Sequence, residues 1–266
     1  MLSNTSARRV LLTIVWLDLI LLALPTIVIV IASLNAGKII AFPPEGFSLI
    51  WYQELLTKRA FGEALWRSFE VAIICTLVSL PAGTLAAIAL ARHRIKHATT
   101  IQVVLLLPFI VPLIVSGLGL MLIFGWMRVL GSIWPVGLAA CIINLPFMIW
   151  AVSASVNNLD PDIEHAAANC GAPPITTFFT ITLPAVMPGV ITGALLMFIL
   201  ALNEFIVSLL LVDARIVTLP VLMYNAIRSI ITPDLAALSV VYIAIAAASI
   251  WILDRVVGLE IFLKSK

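Results

Sequence analysis

Long apolar stretches, cut by short polar ones, fill most of this chain. A helix needs about 20 mostly apolar residues to cross a bilayer. Six stretches reach that length: residues 10–34, 69–91, 99–125, 135–156, 186–212 and 235–253. The first follows Arg8-Arg9 and is interrupted by Asp18 and Pro25. It is too long for a signal-peptide core and shows no clear small-residue cleavage site, so an uncleaved helix is expected. The third holds Pro108, Pro112, Gly117 and Gly119, where kinks are expected. The fifth carries Gly189-x-x-x-Gly193, a spacing that lets another helix approach closely. The pattern predicts an all-α polytopic membrane protein, one domain over residues 1–266 with six transmembrane helices.

The polar stretches refine the picture. Residues 35–67 contain Pro43-Pro44 and Trp51-Tyr52, which predicts a short amphipathic or interfacial helix anchored by its aromatics at the headgroups. Residues 213–234 separate the last two spans. Trp126, Trp134 and Tyr224 lie near span ends and fit an aromatic belt. The stretch 158–185 differs from the rest. Asp160 is a good N-cap, Pro161 fits the first helical position, and Asp162 places negative charge at the positive end of the dipole. Ala166, Ala167 and Ala168 continue the turn, Gly171 supplies a left-handed cap, and Pro173-Pro174 are expected to prevent the helix from resuming. The result is a helix of about 15 Å between two spans, a shape suited to docking.

This stretch resembles the signature loop of the transmembrane subunits of binding-protein-dependent ABC importers: E-A-A, three residues, Gly, nine residues, then I-x-L-P. Ala166, Ala167, Gly171, Ile181, Leu183 and Pro184 match at the family's spacings. The family's Glu falls on His165, with Glu164 one place earlier, and the loop has no Lys or Arg. The resemblance implies a type I importer permease bundle whose cytoplasmic coupling helix seats on the ATPase. Small side chains at Ala166, Ala167 and Cys170 would fit a groove there, with Ile163 as an apolar anchor beside Asp160, Glu164 and His165. It also implies an ABC ATPase dimer, a second and different permease chain, and an extracytoplasmic substrate-binding protein, within the lipid of a bacterial inner membrane. ATP and Mg²⁺ would be bound by the ATPase, with no cofactor in this chain.

Composition narrows the chemistry further. At 63% hydrophobic and 11% charged, with a mean hydropathy of +1.20, the chain is not an ordinary soluble domain. A net charge of +2 gives no footing for nucleic acid. No phosphate-binding G-x-x-x-x-G-K-[ST], nucleophile elbow or metal-ligand spacing occurs, so no catalytic or metal residues are assigned. Cys75, Cys141 and Cys170 lie far apart in sequence and read as free thiols. His93 and His97 belong to a basic run that sets topology.

Charge inside a span is the remaining signal, because a mid-bilayer carboxylate costs at least about 2.5 kcal/mol. Glu204, beside Asn203, falls within the fifth stretch. It either meets a cationic substrate or fixes packing, and the sequence leaves both open. Asp18 and the pair Arg67 and Glu70 read as structural or interfacial charges. Six spans put both termini on one side. Lys and Arg number eight on that side and seven on the other, slightly favouring cytoplasmic termini. The carboxy-terminal third resembles the spermidine/putrescine permease subgroup, whose acidic pair is here Asn203 and Glu204. A small cationic solute such as a polyamine is therefore expected. Importers of iron, thiamine or opines share the architecture, and a secondary transporter is the more distant alternative.

Overall fold

The computed structural model describes residues 5–39, 46–93, 95–213, 215–229 and 232–257. Pro43-Pro44, Arg94, Lys264 and Lys266 lie outside them. In chain order the helices are α1 (Thr5–Ser33), α2 (Ile50–Thr57), α3 (Arg59–Arg92), α4 (Ala98–Ile110), α5 (Leu113–Trp126), α6 (Ile133–Asn158) and α7 (Pro161–Asn169). There follow α8 (Pro174–Thr177), a π-helical turn (Phe178–Thr182), α9 (Leu183–Leu202), α10 (Ile206–Leu211), α11 (Leu219–Ser229) and α12 (Pro233–Val257). Among the described residues the only β pairing is two isolated bridges, so the all-α expectation holds.

Among the described residues, four helical stretches are long and apolar enough to cross a membrane: Arg8–Ser33, Arg59–Arg92, Ile133–Asn158 and Pro174–Leu202. The third expected span is instead a pair, α4 and α5, bent by 99°. Pro112 causes the break, since it has no N–H to give the carbonyl of Pro108. The Ser116 hydroxyl donates to that carbonyl instead, at 3.1 Å. Pro25, Pro81, Pro146 and Pro188 lie inside helices that continue through them. Where the sixth span was expected, α12 supplies a shorter apolar run, Pro233–Ser249.

The fifth span departs from expectation at both ends. Pro173-Pro174 do not end helical structure; Pro174 takes a first-turn position that needs no N–H, and helix resumes there. At the far end α9 stops at Leu202, and Asn203, Glu204 and Phe205 separate it from α10. The second span likewise begins earlier than its apolar run, at Arg59. Arg67 and Glu70 are therefore helical, and Glu70 accepts a 2.8 Å hydrogen bond from the indole N–H of Trp66.

The chain divides into two compact units, Met1–Phe61 with Met223–Ile245, and Gly62–Leu222 with Ala246–Lys266. In the first, α2 is the expected short helix. Its aromatics close the end of α1. The Trp51 indole N–H donates to the carbonyl of Asn35 at 2.7 Å, and the Tyr52 hydroxyl lies 2.6 Å from that of the buried Ser33. Lys58 bridges Glu54 at 3.2 Å and Asp234, at the mouth of α12, at 3.1 Å. Burial pushes the Asp234 carboxyl up, but the Thr232 hydroxyl and the Lys58 ammonium outweigh it and hold it below its ordinary value. Burial likewise depresses Lys58, and its two carboxylate partners outweigh that and raise it.

In the second unit α6 and α9 form the centre. They bury Ile143, Met148, Val152 and Val156 from one helix and Val186, Met197 and Leu202 from the other. The Gly189-x-x-x-Gly193 spacing does what the sequence suggested, with α6 as the neighbour. A Cβ at Gly189 would stand 2.5 Å from the carbonyl oxygen of Ala151, and one at Gly193 would stand 2.4 Å from the sulfur of Met148. Elsewhere in the unit, α10 lies against α5.

Two outcomes follow from these contacts. Gly189→Ala should destabilise the detergent-solubilised protein by about 1–3 kcal/mol through overpacking. Gly119→Ala, where a Cβ meets nothing within 4 Å, should be neutral or stabilising by up to about 1 kcal/mol through helix propensity. Denaturant unfolding of the two variants checks the contrast, and equal effects would remove the close-approach account. The second outcome concerns pH. The stability Asp234 contributes is present above its unfolded value, near pH 4, and is lost as pH falls through its lowered folded value. Lys58's share is present below about pH 10.4 and is lost only as pH rises through its raised value. Hydrogen-exchange protection at the start of α12 should therefore weaken in acid below about pH 4, and Asp234→Asn should abolish that step.

Candidate functional site

Helix α7 is built from the signals its sequence carries. Asp160 caps it, a side-chain oxygen accepting from the Asp162 N–H at 3.0 Å, and Pro161 occupies the first position. Gly171 ends it with φ +83°; its N–H donates to Ala168 at 2.9 Å and that of Ala172 donates to Ala167 at 3.1 Å. A Cβ on Gly171 would meet nothing within 4 Å, so glycine is needed there for conformation and not for room.

The side chains of α7 divide by direction. Ile163 (47% exposed), His165, Ala166 and Cys170 lie on the surface, with Asp160 and Gly171 at the two ends, and Ala167 is half-buried. None of the helix's residues is buried. Glu164 turns inward. One carboxylate oxygen accepts from the buried Thr182 hydroxyl at 2.6 Å, and the other stands 3.1 Å from Nε of Arg92. That second contact is an ion pair whose N–H is not aligned for a hydrogen bond. Arg92 also donates to the carbonyl of Leu159, at the end of α6, at 2.7 Å. Sequence reasoning missed Arg92 and Thr182. The available signal was the acidic loop itself, which has no Lys or Arg and must find its cation elsewhere. Ile181, Leu183 and Pro184 are not in a loop. Ile181 belongs to the π-helical turn, and the other two open α9.

The second candidate cluster lies at the break between α9 and α10. The Asn203 amide donates back to the carbonyl of Ile199 at 2.9 Å, closing α9. Glu204 accepts from the Val207 N–H at 3.0 Å, capping α10. Asn203 is exposed and Glu204 half-buried, and among the described residues no Lys or Arg pairs with Glu204. Glu204 thus stands at a gap between two helices and not within one, as the sequence had suggested. Cys75 and Cys141, distant in sequence, are both buried and meet thiol to thiol without a disulfide. A cavity of about 450 Å³ lies where α3 faces the π-helical turn and α9, walled by Leu80, Pro81, Leu85, Phe178, Phe179 and Met187. Its lining suits nonpolar matter and not a charged solute. No group of three or more His, Cys, Asp or Glu able to hold a metal ion occurs among the described residues.

Comparison with known proteins places these features in a family context. Residues 79–259 match the family model described as "binding-protein-dependent transport system inner membrane component". The chain is 31% identical over 225 residues to the putrescine transport system permease protein PotI of Escherichia coli (strain K12), covering 81% of this chain and 79% of that one. It is 27% identical over 227 residues to the spermidine/putrescine transport system permease protein PotC of Haemophilus influenzae, covering 85% and 88%. It is 30% identical over 209 residues to the molybdenum transport system permease protein ModB of Mycobacterium bovis, covering 73% and 78%. A similar fold occurs in a bacterial ABC transporter involved in import of alginate, with a TM-score of 0.72 at 16% identity, covering 98% of this chain and 96% of that one.

The geometry of α7 yields a labelling test. A hydrophilic maleimide should modify Cys170, the exposed thiol, and leave the buried Cys75 and Cys141 until the protein is unfolded. Mass spectrometry locates the adduct, and prompt modification of either buried thiol would contradict the packing of α3 and α6.

Proposed function

We propose, from the premise that this chain belongs to the family of binding-protein-dependent transport system inner membrane components, that its cargo is a small polycationic amine and that α7 is where an ATPase engages it. The chain is a permease subunit of an ABC importer in the inner membrane, and ATP hydrolysis is the work of a separate subunit. In the proposed assembly two ATPase subunits bind ATP and Mg²⁺, a second permease chain completes the path, and an extracytoplasmic binding protein delivers the solute. This chain itself carries no cofactor. Both termini and α7 lie in the cytoplasm.

Docking through α7 is supported by its outward face. Ile163 offers an apolar contact and His165 a polar one, while Ala166, Ala167 and Cys170 keep the rest low enough for a groove to close over, with Asp160 and Gly171 fixing the two ends. Ile181, Leu183 and Pro184 serve the same coupling from within the helix that α7 feeds.

The observation that carries the cargo reading is Glu204. A half-buried carboxylate with no Lys or Arg partner among the described residues, at a helix break beside Asn203, attracts an ammonium and repels an anion. Two of the relatives named above are polyamine permeases by name. A molybdenum importer's likeness to this chain is the second reading, and the charge of Glu204 disfavours any anionic solute.

Uptake of radiolabelled putrescine by proteoliposomes holding the complete complex tests this. ATP-dependent uptake is expected, and Glu204→Gln should lower it about tenfold, the loss of one charge-assisted contact of about 1.5 kcal/mol. Wild-type vesicles that take up no polyamine would refute the cargo; unchanged uptake by Glu204→Gln would reduce Glu204 to a helix cap.

A further inference from the structure

We infer that Arg92 and Glu164 are positioning residues that bind α7 to the spanning helices, so that motion of α7 becomes motion of α3 and α9. This rests on the reading that α7 is where the ATPase docks.

Helix α7 is weakly fastened to the rest of the chain. It has no buried residue, so apolar packing does little to fasten it to its own chain. Both of its ends are non-helical: Leu159 and Asp160 have extended backbone, and Gly171 is left-handed. A short helix between two such joints can swivel when a partner pulls on it, and the pull is then dissipated. Glu164 prevents this. Through one oxygen it holds Thr182, in the π-helical turn that leads into α9. Through the other it holds Arg92, the last residue of α3, which in turn holds Leu159 at the end of α6. One carboxylate therefore joins the ends of three long helices to the fourth, short one. The Arg92 and Glu164 side chains are only 16% and 21% exposed, so water screens the pair less than it would a surface ion pair.

Seen this way, the shift of the acid from the signature position to Glu164 has a mechanical meaning. The signature position holds His165, which faces outward, while Glu164, one residue earlier on the helix, faces the bundle. The outer face meets the partner and the inner acid passes the movement on.

The test uses the complete complex, purified through a tag on this chain and reconstituted in proteoliposomes. Spin labels at Ala91→Cys on α3 and Asn169→Cys on α7, in a Cys170→Ser background, report whether the two helices move together. In the otherwise wild-type chain their distance should stay constant between nucleotide-free and ATP-bound states. With Glu164→Gln it should broaden and change with nucleotide. On the same vesicles, putrescine uptake per ATP hydrolysed should fall about tenfold, within the usual range for a coupling free energy, while the ATPase still co-purifies and hydrolyses ATP. The reversed pair, Arg92→Glu with Glu164→Arg, should recover part of that ratio. A label distance in Glu164→Gln that stays fixed through the cycle overturns the proposal. So does loss of the ATPase from that variant, which would make Glu164 a docking contact. Gly171→Asp separates the premise from the inference. It should release the ATPase, and its retention would refute docking through α7 whatever Glu164 does.

Discussion

In the hydrocarbon core no water is available to a backbone N–H or C=O, and every departure from regular helix must be compensated by the protein itself. The breaks in this chain follow that constraint. At Pro112 the freed carbonyl of Pro108 is taken by the Ser116 hydroxyl. Between α9 and α10, Glu204 accepts the N–H of Val207, in the first turn of α10. Ser116, Asn203 and Glu204 are thus polar residues of the apolar stretches that stand at or within a turn of a helix break. Glu204 consequently satisfies the backbone of α10 and stands half-buried at the break between α9 and α10.

The same constraint explains how much of the architecture was legible in the sequence. Hydropathy located the helical material because spanning stretches must be apolar whatever their neighbours do. Kinks were expected in the third stretch, and the chain does break there at Pro112, but hydropathy did not say which proline would break a helix. Five prolines, Pro25, Pro81, Pro108, Pro146 and Pro188, lie inside helices that continue through them, while Pro112 stands at a break of 99°. The outcome depends on what surrounds the freed carbonyl, and the residue type does not reveal that. Pro174 was misjudged for a related reason, since a proline that ends one helix is equally suited to begin the next.

The site divides along the same line. Local chemistry fixed α7: Asp160, Pro161 and Gly171 act within a few residues of themselves, and all three do what their types suggest. The direction of Glu164 depended on Arg92 and Thr182, which approach through the tertiary fold, and the sequence offered only the absence of a cation in the loop. The thiol contact of Cys75 with Cys141 was hidden in the same way. The contacts by which Trp51 and Tyr52 seal the end of α1 were likewise not legible from their position alone.

The π-helical turn at Phe178–Thr182 bears on why the signature spacing is fixed. A π turn accommodates an extra residue within a helix and so resets the angular phase of everything after it. The nine residues between Gly171 and Ile181 therefore measure an angle as well as a length. Adding or removing one of the helical residues among them, from Pro174 on, would rotate α9 by about 100° about its axis. Gly189 and Gly193 would turn away from α6, and Met197 and Leu202 would leave the core. Length variation, which surface loops generally absorb, is closed to this connection, because here the chain's count of residues is also its gear setting.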